Sequence, residues 1–506
     1  MTTRSRFMFL AQIVVVGVSA FNAQVALANV DSDLSQSSRQ LLNEPLEITA
    51  NTENRIPDLK TINEYIAYFN SPSPWGEIRK KRIKTLLPLA LKNADLRYWL
   101  IVCRENNNDP LANHVGCENA GGTAVILFSL EEDVAEEART KRANAISSRI
   151  FSPTSESTAL KELGTFDYVV DVSKGESAVN AAATWMAKQQ IKGRVGINSF
   201  SVNPFADGLS HSQYLMLEKA FKNRDVSLVS AEDVIYYWLA RKLPEEVDIM
   251  EKAAAITSRW EYEAYQMVKP GITTDKDIAG FLKQKMAEAG VTDGWAESQN
   301  PAVNSGPDRG HSHPTERVIQ GGDVIQIDFG IRVFEQWVTD VQRFAYVLNT
   351  DEQAAPQFIQ HAWESAIAGR NAAFNTMKPG VSGNEVHKAQ LAVMQKNGSL
   401  PVMWSTGHPV GYVAHDVGPN LGVRPASDKL LDTHMTFAFD GFFSWPYNPD
   451  EGDKATDVET DSHSAGNEKN NVQKTKTISV EDMVVITEQG ARFLTAPQTS
   501  LVVVGH

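Results

Sequence analysis

The sequence predicts an α/β domain followed by an α+β domain with internal pseudo-two-fold symmetry. A chain of 506 residues with 42% hydrophobic residues exceeds one ordinary core and favours two large domains. Short apolar runs alternate with helical stretches from about 56 to 243, which is typical of an α/β domain. From 244 to 506, long helices precede strands, and a Lys-Pro-Gly turn occurs twice. These observations define the expected architecture.

Residues 1–28 are typical of an export signal. Arg4 and Arg6 precede an apolar stretch at 7–16, and the small-x-small pattern at 26–28 suits signal peptidase. An uncleaved membrane anchor is the alternative, but Gln12, Asn22 and Gln24 interrupt the apolar region that begins at Phe7. We therefore expect an exported protein, periplasmic or secreted, with no membrane contact after cleavage.

Net charge and cysteine content indicate which partners and which cellular compartment suit this protein. Removal of the signal takes away two positive and no negative charges, so the net charge changes from −14 to about −16. The sequence therefore lacks the excess of basic residues that is typical of nucleic-acid-binding proteins. Residues 29–55 are polar and predict a flexible leader. Cys103 and Cys117 would meet an oxidising compartment, which favours a disulfide over two buried thiols.

The first predicted domain extends from 56 to 243. Folding is expected to begin near Pro57, and the apolar runs 97–103 and 123–128 predict strands. A break at 242–244 ends the domain.

The second predicted domain, 244–506, begins with two helices. Apolar residues recur at helical spacing after Pro244, and Pro270-Gly271 ends this helix. Thr274 is expected to cap a second helix from about Asp275 to Gly290. The periodic residues of the first helix are Ile249, Ala253, Ile256, Trp260, Ala264 and Met267.

An internal echo links two parts of this domain. Residues 269–275 read Lys-Pro-Gly-Ile-Thr-Thr-Asp, and residues 378–384 read Lys-Pro-Gly-Val-Ser-Gly-Asn. Each stands between two helical stretches. Coincidence is one interpretation, because such turns commonly end helices. Duplication is the other, and two similar halves would form a cleft on their shared axis.

Asp328 and Asp340 lie in strand-like apolar runs, at 323–330 and 337–343. If the runs form a hairpin, Asp328 and Asp340 can lie across from each other, where two carboxylates repel unless protonated or bridged by cations. Alternatively, Asp340 is an ordinary ion-pair partner of Arg343.

Three more polar residues follow in apolar surroundings: His408, Asp440 and Glu481. A lone histidine is more often structural than a ligand. Four carboxylates and one imidazole on separate strands, however, suit a pair of divalent ions such as manganese, iron, cobalt or zinc.

With these residues the sequence resembles the pita-bread metallopeptidases, which include Xaa-Pro aminopeptidases, Xaa-Pro dipeptidases (prolidases) and methionine aminopeptidases, with creatinase as a metal-free relative. The resemblance covers about 244–506 clearly and the preceding domain more loosely. It implies two divalent metal ions. Manganese is the expected metal, and zinc, cobalt or iron are the alternatives. The long N-terminal domain points away from methionine aminopeptidases.

The resemblance also implies residue roles. Five residues would be metal ligands: Asp328, Asp340, His408, Asp440 and Glu481. Of these, Asp340 and Glu481 would be the bridging acids, and Asp440 would also accept a proton. His311, 17 residues before Asp328, and His415, 7 after His408, match the spacing of two substrate-contacting histidines. Together the ligands and catalytic residues are Asp328, Asp340, His408, Asp440, Glu481, His311 and His415.

The sequence departs from the family pattern at three places. The two aspartates are twelve positions apart rather than eleven, which an extra turn residue near Glu335 would absorb. Pro409 replaces the glycine after the ligand histidine. Asp440-Gly441 replaces Glu-Pro, and residues 448–477 are expected to form an inserted surface loop.

The resemblance implies an exported Xaa-Pro peptidase, of aminopeptidase P or prolidase type, that hydrolyses the bond before proline through a metal-bridging hydroxide. Its partner would be a peptide or dipeptide substrate, and many relatives are homo-oligomers. Two alternatives remain open: a non-peptidase pita-bread enzyme (a C–N hydrolase or lyase), or a binding protein without activity, because Asp440 is shorter than glutamate.

Overall fold

The N-terminal part of the protein is built on a mixed six-stranded sheet. The structure is a computed structural model, and it describes residues 56–118, 121–131, 146–201, 203–423, 426–447 and 474–505. The strand order is β4-β3-β2-β1-β5-β6. The pairs β1–β2 and β2–β3 are antiparallel, and the others are parallel. The strands are β1 (Tyr98–Arg104), β2 (Thr123–Leu130), β3 (Ile146–Pro153), β4 (Tyr168–Val172), β5 (Gly193–Ile197) and β6 (Val226–Ser230).

Helices accompany this sheet, as the alternating pattern predicts. Asp58 caps the first of them, close to the expected start of folding. The α-helices are α1 (Leu59–Phe69), α2 (Trp75–Thr85), α3 (Leu87–Asn93), α4 (Ala112–Val115), α5 (Ser157–Leu163), α6 (Ala178–Lys188), α7 (His211–Phe221) and α8 (Glu232–Leu239), with 3-10 turns at Thr154–Glu156 and Pro204–Ala206.

A disulfide joins β1 to the segment after α4. Cys103 and Cys117 are both fully buried and are bonded to each other. The predicted disulfide is confirmed.

The C-terminal part carries an eight-stranded sheet. Its main path is β13-β14-β15-β12-β9-β8, while β16 pairs with β15 and β17 with β12. A small sheet of order β11-β10-β7 lies beside it. The strands are β7 (Thr292–Asp293), β8 (Ala302–Asn304), β9 (Val324–Phe329), β10 (Ile331–Val333), β11 (Trp337–Val338), β12 (Val341–Val347), β13 (Gly407–Pro409), β14 (Thr436–Pro446), β15 (Thr475–Thr487), β16 (Gly490–Phe493) and β17 (Val502–Val504).

Two similar helix pairs support the duplication. Helix α9 (Pro244–Gln266) precedes α10 (Asp275–Ala289), and α11 (Gln357–Thr376) precedes α12 (Gly383–Lys396). Thr274 and Ser382 each form a capping box at the second helix, and each makes an isolated antiparallel bridge, to Val318 and Leu430. The glycines of both Lys-Pro-Gly turns have positive φ, which favours glycine. The predicted fold with internal symmetry is confirmed.

Helix α11 packs directly against the strands that carry two candidate ligands. Ala362 and Ala366 of α11 share an apolar core with Phe443 and Val480. A Cβ at Gly441 would collide with the carbonyl oxygen of Ala366, so the close approach requires glycine at this position.

The predicted boundaries have different outcomes. The described residues all fall in one compact unit, so the domain boundary at 243/244 stays a prediction. The predicted signal and leader lie outside the described residues, as does 448–473 of the predicted loop. The prediction was wrong at the end of that loop, because Thr475–Thr477 begin β15. Their polar groups have partners: Lys476 Nζ donates to Asn304 O, and Thr477 Oγ1 donates to Asp308.

None of the helices in the described part of the chain is long and apolar enough to cross a membrane.

Candidate metal centre

Three of the candidate ligands share one row across the eight-stranded sheet. Backbone pairing aligns Asp328, Gln342, Glu481 and Asp440 across β9, β12, β15 and β14. Residues directly opposite in neighbouring strands point to the same face of a sheet. The row therefore brings three carboxylates together from distant parts of the sequence.

Asp340 and His408 join the same face two residues away from this row. Asp340 precedes Gln342 by two positions, and His408 pairs with Ala438, two positions before Asp440. His408 Nε2 lies 3.7 Å from Asp340 Oδ2 and 3.8 Å from Glu481 Oε1. One ligand atom from each of Asp340, His408 and Glu481 lies within 4.8 Å of the others. This trio forms a compact group of potential ligands.

The two remaining histidines reach the site from loops. His311 Nδ1 lies 2.9 Å from Asp328 Oδ2, and the His311 side chain is exposed. The rings of His408 and His415 are nearly perpendicular, with centroids 4.3 Å apart. The structure thus gathers all seven predicted site residues, although their roles stay predictions.

Burial makes the carboxylates costly to ionise together. It raises the pKa values of Asp340 and Asp440 well above the usual range, and the charge of Glu481 adds to both shifts. Burial, then the charge of Asp328, raises the pKa of Glu481 to about 8, while a hydrogen bond from Gln342 opposes the rise. A cation would remove this repulsion.

The histidines have opposite electrostatic environments. Burial, followed by the nearby His415, lowers the pKa of His408 to about 3, so its imidazole is neutral and suited to bind a metal. His408 Nδ1 lies 3.2 Å from the carbonyl oxygen of Pro409, which directs Nε2 toward the acids. A hydrogen bond with Asp328, and then its charge, raises the pKa of His311 to about 9.

The sequence of this region matches one protein-family model. The match covers residues 248–488 and is described as metallopeptidase family M24. Residues 248–488 belong to metallopeptidase family M24. The M24 domain thus includes all seven site residues.

Curated relatives of the M24 domain are peptidases by name. A Mycoplasma genitalium protein, named provisionally as a Xaa-Pro aminopeptidase, is 26% identical over 38% of this chain and 51% of its own length. A methionine aminopeptidase from Treponema pallidum is 25% identical over 39% of this chain and 80% of its own length. The chain spans about half the length of the Mycoplasma relatives that it matches.

Solved structures share the fold beyond the M24 domain. An X-Pro aminopeptidase from Thermotoga maritima covers 82% of this chain and all of its own, with 20% identity and a TM-score of 0.58. A dipeptidase from Mycobacterium ulcerans covers 86% of this chain and all of its own, with 20% identity and a TM-score of 0.60. At these identities the likeness establishes the fold.

The residues of the M24 domain fit a divalent cation. Oδ1 of Asp440 and Oε2 of Glu481 are buried and have no hydrogen-bond partner. Carboxylate oxygens buried without a donor are costly, and a cation would supply the missing partner. The donor set of oxygens with one imidazole nitrogen suits manganese, iron, cobalt or zinc.

The alternative pairing of Asp340 with Arg343 was wrong. Arg343 points to the opposite face, where Nη2 lies 2.9 Å from Asp482 Oδ1. Arg370 lies 2.7 Å from the other Asp482 oxygen, and Arg343 also donates to the backbone oxygen of Glu481. This buried Arg-Asp-Arg group holds the strand that carries Glu481, and it lies on the face of the sheet opposite the Glu481 side chain.

The hairpin prediction needs two corrections. Gln342, not Asp340, lies directly across from Asp328, and Asp340 is its diagonal neighbour. The predicted strand 337–343 is interrupted at Thr339 and Asp340. The interruption has a local cause: the side-chain oxygen of Thr339 accepts the hydrogen bond of Ile331 N, in place of a backbone acceptor.

Sequence reasoning assigned no role to Gln342 or Asp482. Gln342 Oε1 accepts hydrogen bonds from Gln326 and Ser479, which leaves its amide nitrogen for Glu481. The sequence pattern could have placed both residues, because side chains alternate between the two faces of a sheet along a strand. Gln342 shares a face with Asp340, and Asp482 must point away from the face of Glu481.

Proposed function

We propose that the mature chain is a peptidase that hydrolyses the peptide bond before proline and needs two divalent ions. Manganese is the proposed metal. The observation that carries the proposal is the gathering of four carboxylates and one neutral imidazole on one sheet face. The names of the Mycoplasma relative and the Thermotoga structure support Xaa-Pro peptides as the substrate class. Aminopeptidase P and prolidase types are both compatible with this proposal.

The proposed ligand roles follow the row. The residues that would hold the two ions are Asp328, Asp340, His408, Asp440 and Glu481. When bound, the ions would lower the pKa of a water molecule and polarise the scissile carbonyl. The shorter side chain of Asp440 makes its site the weaker of the two.

The side chains around the ions would handle the substrate. His415 stands beside His408, and His311 stands beside Asp328, so both can donate hydrogen bonds to the peptide group around the scissile bond. Asp440, ionised as a metal ligand, would accept a proton and later return it to the leaving amine.

Paired peptides test the proposal. Mature protein beginning at residue 29 would be loaded with manganese and given Ala-Pro and Ala-Ala peptides of equal length. We expect hydrolysis of the proline peptides, loss of that activity with a chelator, and its recovery with manganese. His408→Ala and Asp328→Asn should remove activity, whereas Arg492→Met, which breaks an ion pair with Glu251, is the control.

Other outcomes would favour the alternatives. Metal-loaded protein that is inert as isolated and becomes active as Asp440→Glu would favour a binding protein. Cleavage of non-peptide C–N bonds alone would favour a non-peptidase enzyme of this fold. Full activity in His408→Ala or Asp328→Asn would contradict the proposed mechanism.

We also propose export to the periplasm or medium, with cleavage after residue 28, and assembly into homo-oligomers. The charged start, apolar stretch and small-residue site of 1–28 support export. N-terminal sequencing of protein from fractionated cells tests it, and light scattering on purified protein tests assembly. An intact N-terminus in the cytoplasmic fraction would contradict export.

A further inference from the structure

Asp416, immediately after His415, holds the two ends of a short loop. Its Oδ2 accepts a hydrogen bond from Tyr412 N at 2.9 Å, and its Oδ1 accepts one from Val417 N at 2.8 Å. The carboxylate therefore ties together the backbone on both sides of His415. Its side chain is completely buried.

Lys242 compensates the charge of this carboxylate. Its Nζ lies 3.2 Å from Asp416 Oδ2, donates to Leu239 O at 2.7 Å and lies 4.6 Å from the ring centroid of Tyr412. Lys242 follows α8, on the N-terminal side of α9, and its side chain is 1% exposed. A buried carboxylate and ammonium require such pairing, because each alone is costly away from water.

A second buried ion pair holds the same loop. Arg82 of α2 donates to Glu246 Oε2 at 2.6 Å, and both side chains are fully buried. The other oxygen of Glu246 accepts hydrogen bonds from Tyr412 OH at 2.6 Å and Trp337 Nε1 at 3.2 Å. Tyr412 is therefore held by both pairs, one through its ring and one through its hydroxyl.

The loop packs onto Lys242 without spare room. A Cβ at Gly411 would collide with Lys242 Cε and would lie 2.6 Å from Asp416 Oδ2. Close packing of this kind allows few alternative arrangements of the segment that carries His415.

We propose that Lys242 and Asp416, supported by Arg82 and Glu246, are positioning residues that fix His415 beside His408. The inference rests on the proposed function, since His415 would stabilise the tetrahedral state. Stability alone gives a poor account of these pairs, because buried ion pairs contribute little net stability compared with apolar replacements. A displaced catalytic donor, by contrast, reduces the rate strongly.

A double-mutant cycle tests the proposal in the complete mature protein, loaded with manganese. Asp416→Asn keeps the shape of the side chain, and Lys242→Met keeps the stem of the lysine. We expect each to lower kcat by about tenfold or more, with a smaller change in KM and unchanged manganese affinity. In a His415→Ala background, neither variant should cause a comparable further loss. Arg492→Met should leave kcat unchanged in both backgrounds.

Three results would overturn the inference. They are unchanged kcat in Asp416→Asn and Lys242→Met, losses that multiply fully with that of His415→Ala, and losses explained by weaker manganese binding. If Asp416→Asn fails to fold, Lys242→Met carries the test, with thermal unfolding as the check on both.

Failure of the proposed function would be recognised separately. A wild-type protein that cleaves no Xaa-Pro peptide contradicts that function, whatever the variants do. The positioning role then has its own measurement, a crystal structure of Lys242→Met or Asp416→Asn. The His408–His415 ring separation of 4.3 Å should be lost in the variants, and its retention would overturn the inference.

Discussion

Asp440 and Glu481 lie directly opposite each other on β14 and β15, and each has a buried oxygen without a hydrogen-bond partner. Burial raises the pKa of both carboxyls, and the charge of Glu481 adds to the rise at Asp440. A shared cation resolves the repulsion and satisfies both oxygens. The pair therefore identifies the place on the sheet where the proposed ions would bind.

Removing the Asp440 carboxylate should cost one ion. We predict that Asp440→Asn lowers manganese stoichiometry from two to one per chain, measured by elemental analysis after gel filtration, because the amide has no negative charge. Asp440→Glu should retain two ions. Two tightly held ions in Asp440→Asn would show that this residue is not a ligand.

Gln342 should tune metal affinity through Glu481. We predict that Gln342→Leu weakens manganese binding about tenfold to hundredfold, measured by calorimetry, since supporting hydrogen bonds orient metal ligands. Gln326→Leu is the matched control, because Gln326 donates to Gln342 rather than to a ligand. Equal losses in the two variants would contradict a specific role for Gln342.

The buried group behind Glu481 should matter for folding. Asp482→Asn leaves Arg343 and Arg370 without their charged partner, so we predict a loss of about 3 to 5 kcal/mol in the free energy of unfolding by urea. Glu316→Gln breaks the exposed pair with Lys276 and should leave the free energy of unfolding nearly unchanged, because water screens exposed charges. Similar small losses in both would be inconsistent with this account.

His114 should make the protein less stable in acid. Burial, then the charge of Arg82, lowers its pKa from 6.5 to about 3. Between these values the unfolded chain binds a proton that the folded chain does not, so stability falls as pH falls below 6.5. The loss should approach about 1.4 kcal/mol for each pH unit.

His114→Phe isolates this effect, because the ring can still pack against Tyr412 and Trp75. His408 titrates in the same direction in both proteins, so the difference between wild type and variant reports on His114. Urea unfolding at about pH 5 and about pH 8 gives that difference. Parallel pH dependences in the two proteins would contradict the assignment.

Patterns within single elements were readable from the sequence. Helix α9 shows its apolar spacing and its proline start, and Thr274 shows its cap. The acids of the site were recognisable because each lies in a largely apolar run of the sequence. Local sequence records the faces of an element and the residues that end it.

Relations between elements were harder to predict. The residue opposite Asp328 depends on strand register, and the break at Thr339 depends on a side-chain hydrogen bond to another strand. Lys476 reads as part of a polar loop, yet it is buried because its amine reaches Asn304 O. Such features depend on tertiary contacts that composition does not encode.

The most direct test of the central claim is the ratio of kcat/KM for Ala-Pro and Ala-Ala peptides, measured on manganese-loaded mature protein and repeated after chelation. The account predicts a strong preference for the proline peptide, lost with the metal and regained when manganese returns. Equal rates for both peptides, or proline-peptide hydrolysis that survives complete metal removal, would contradict it.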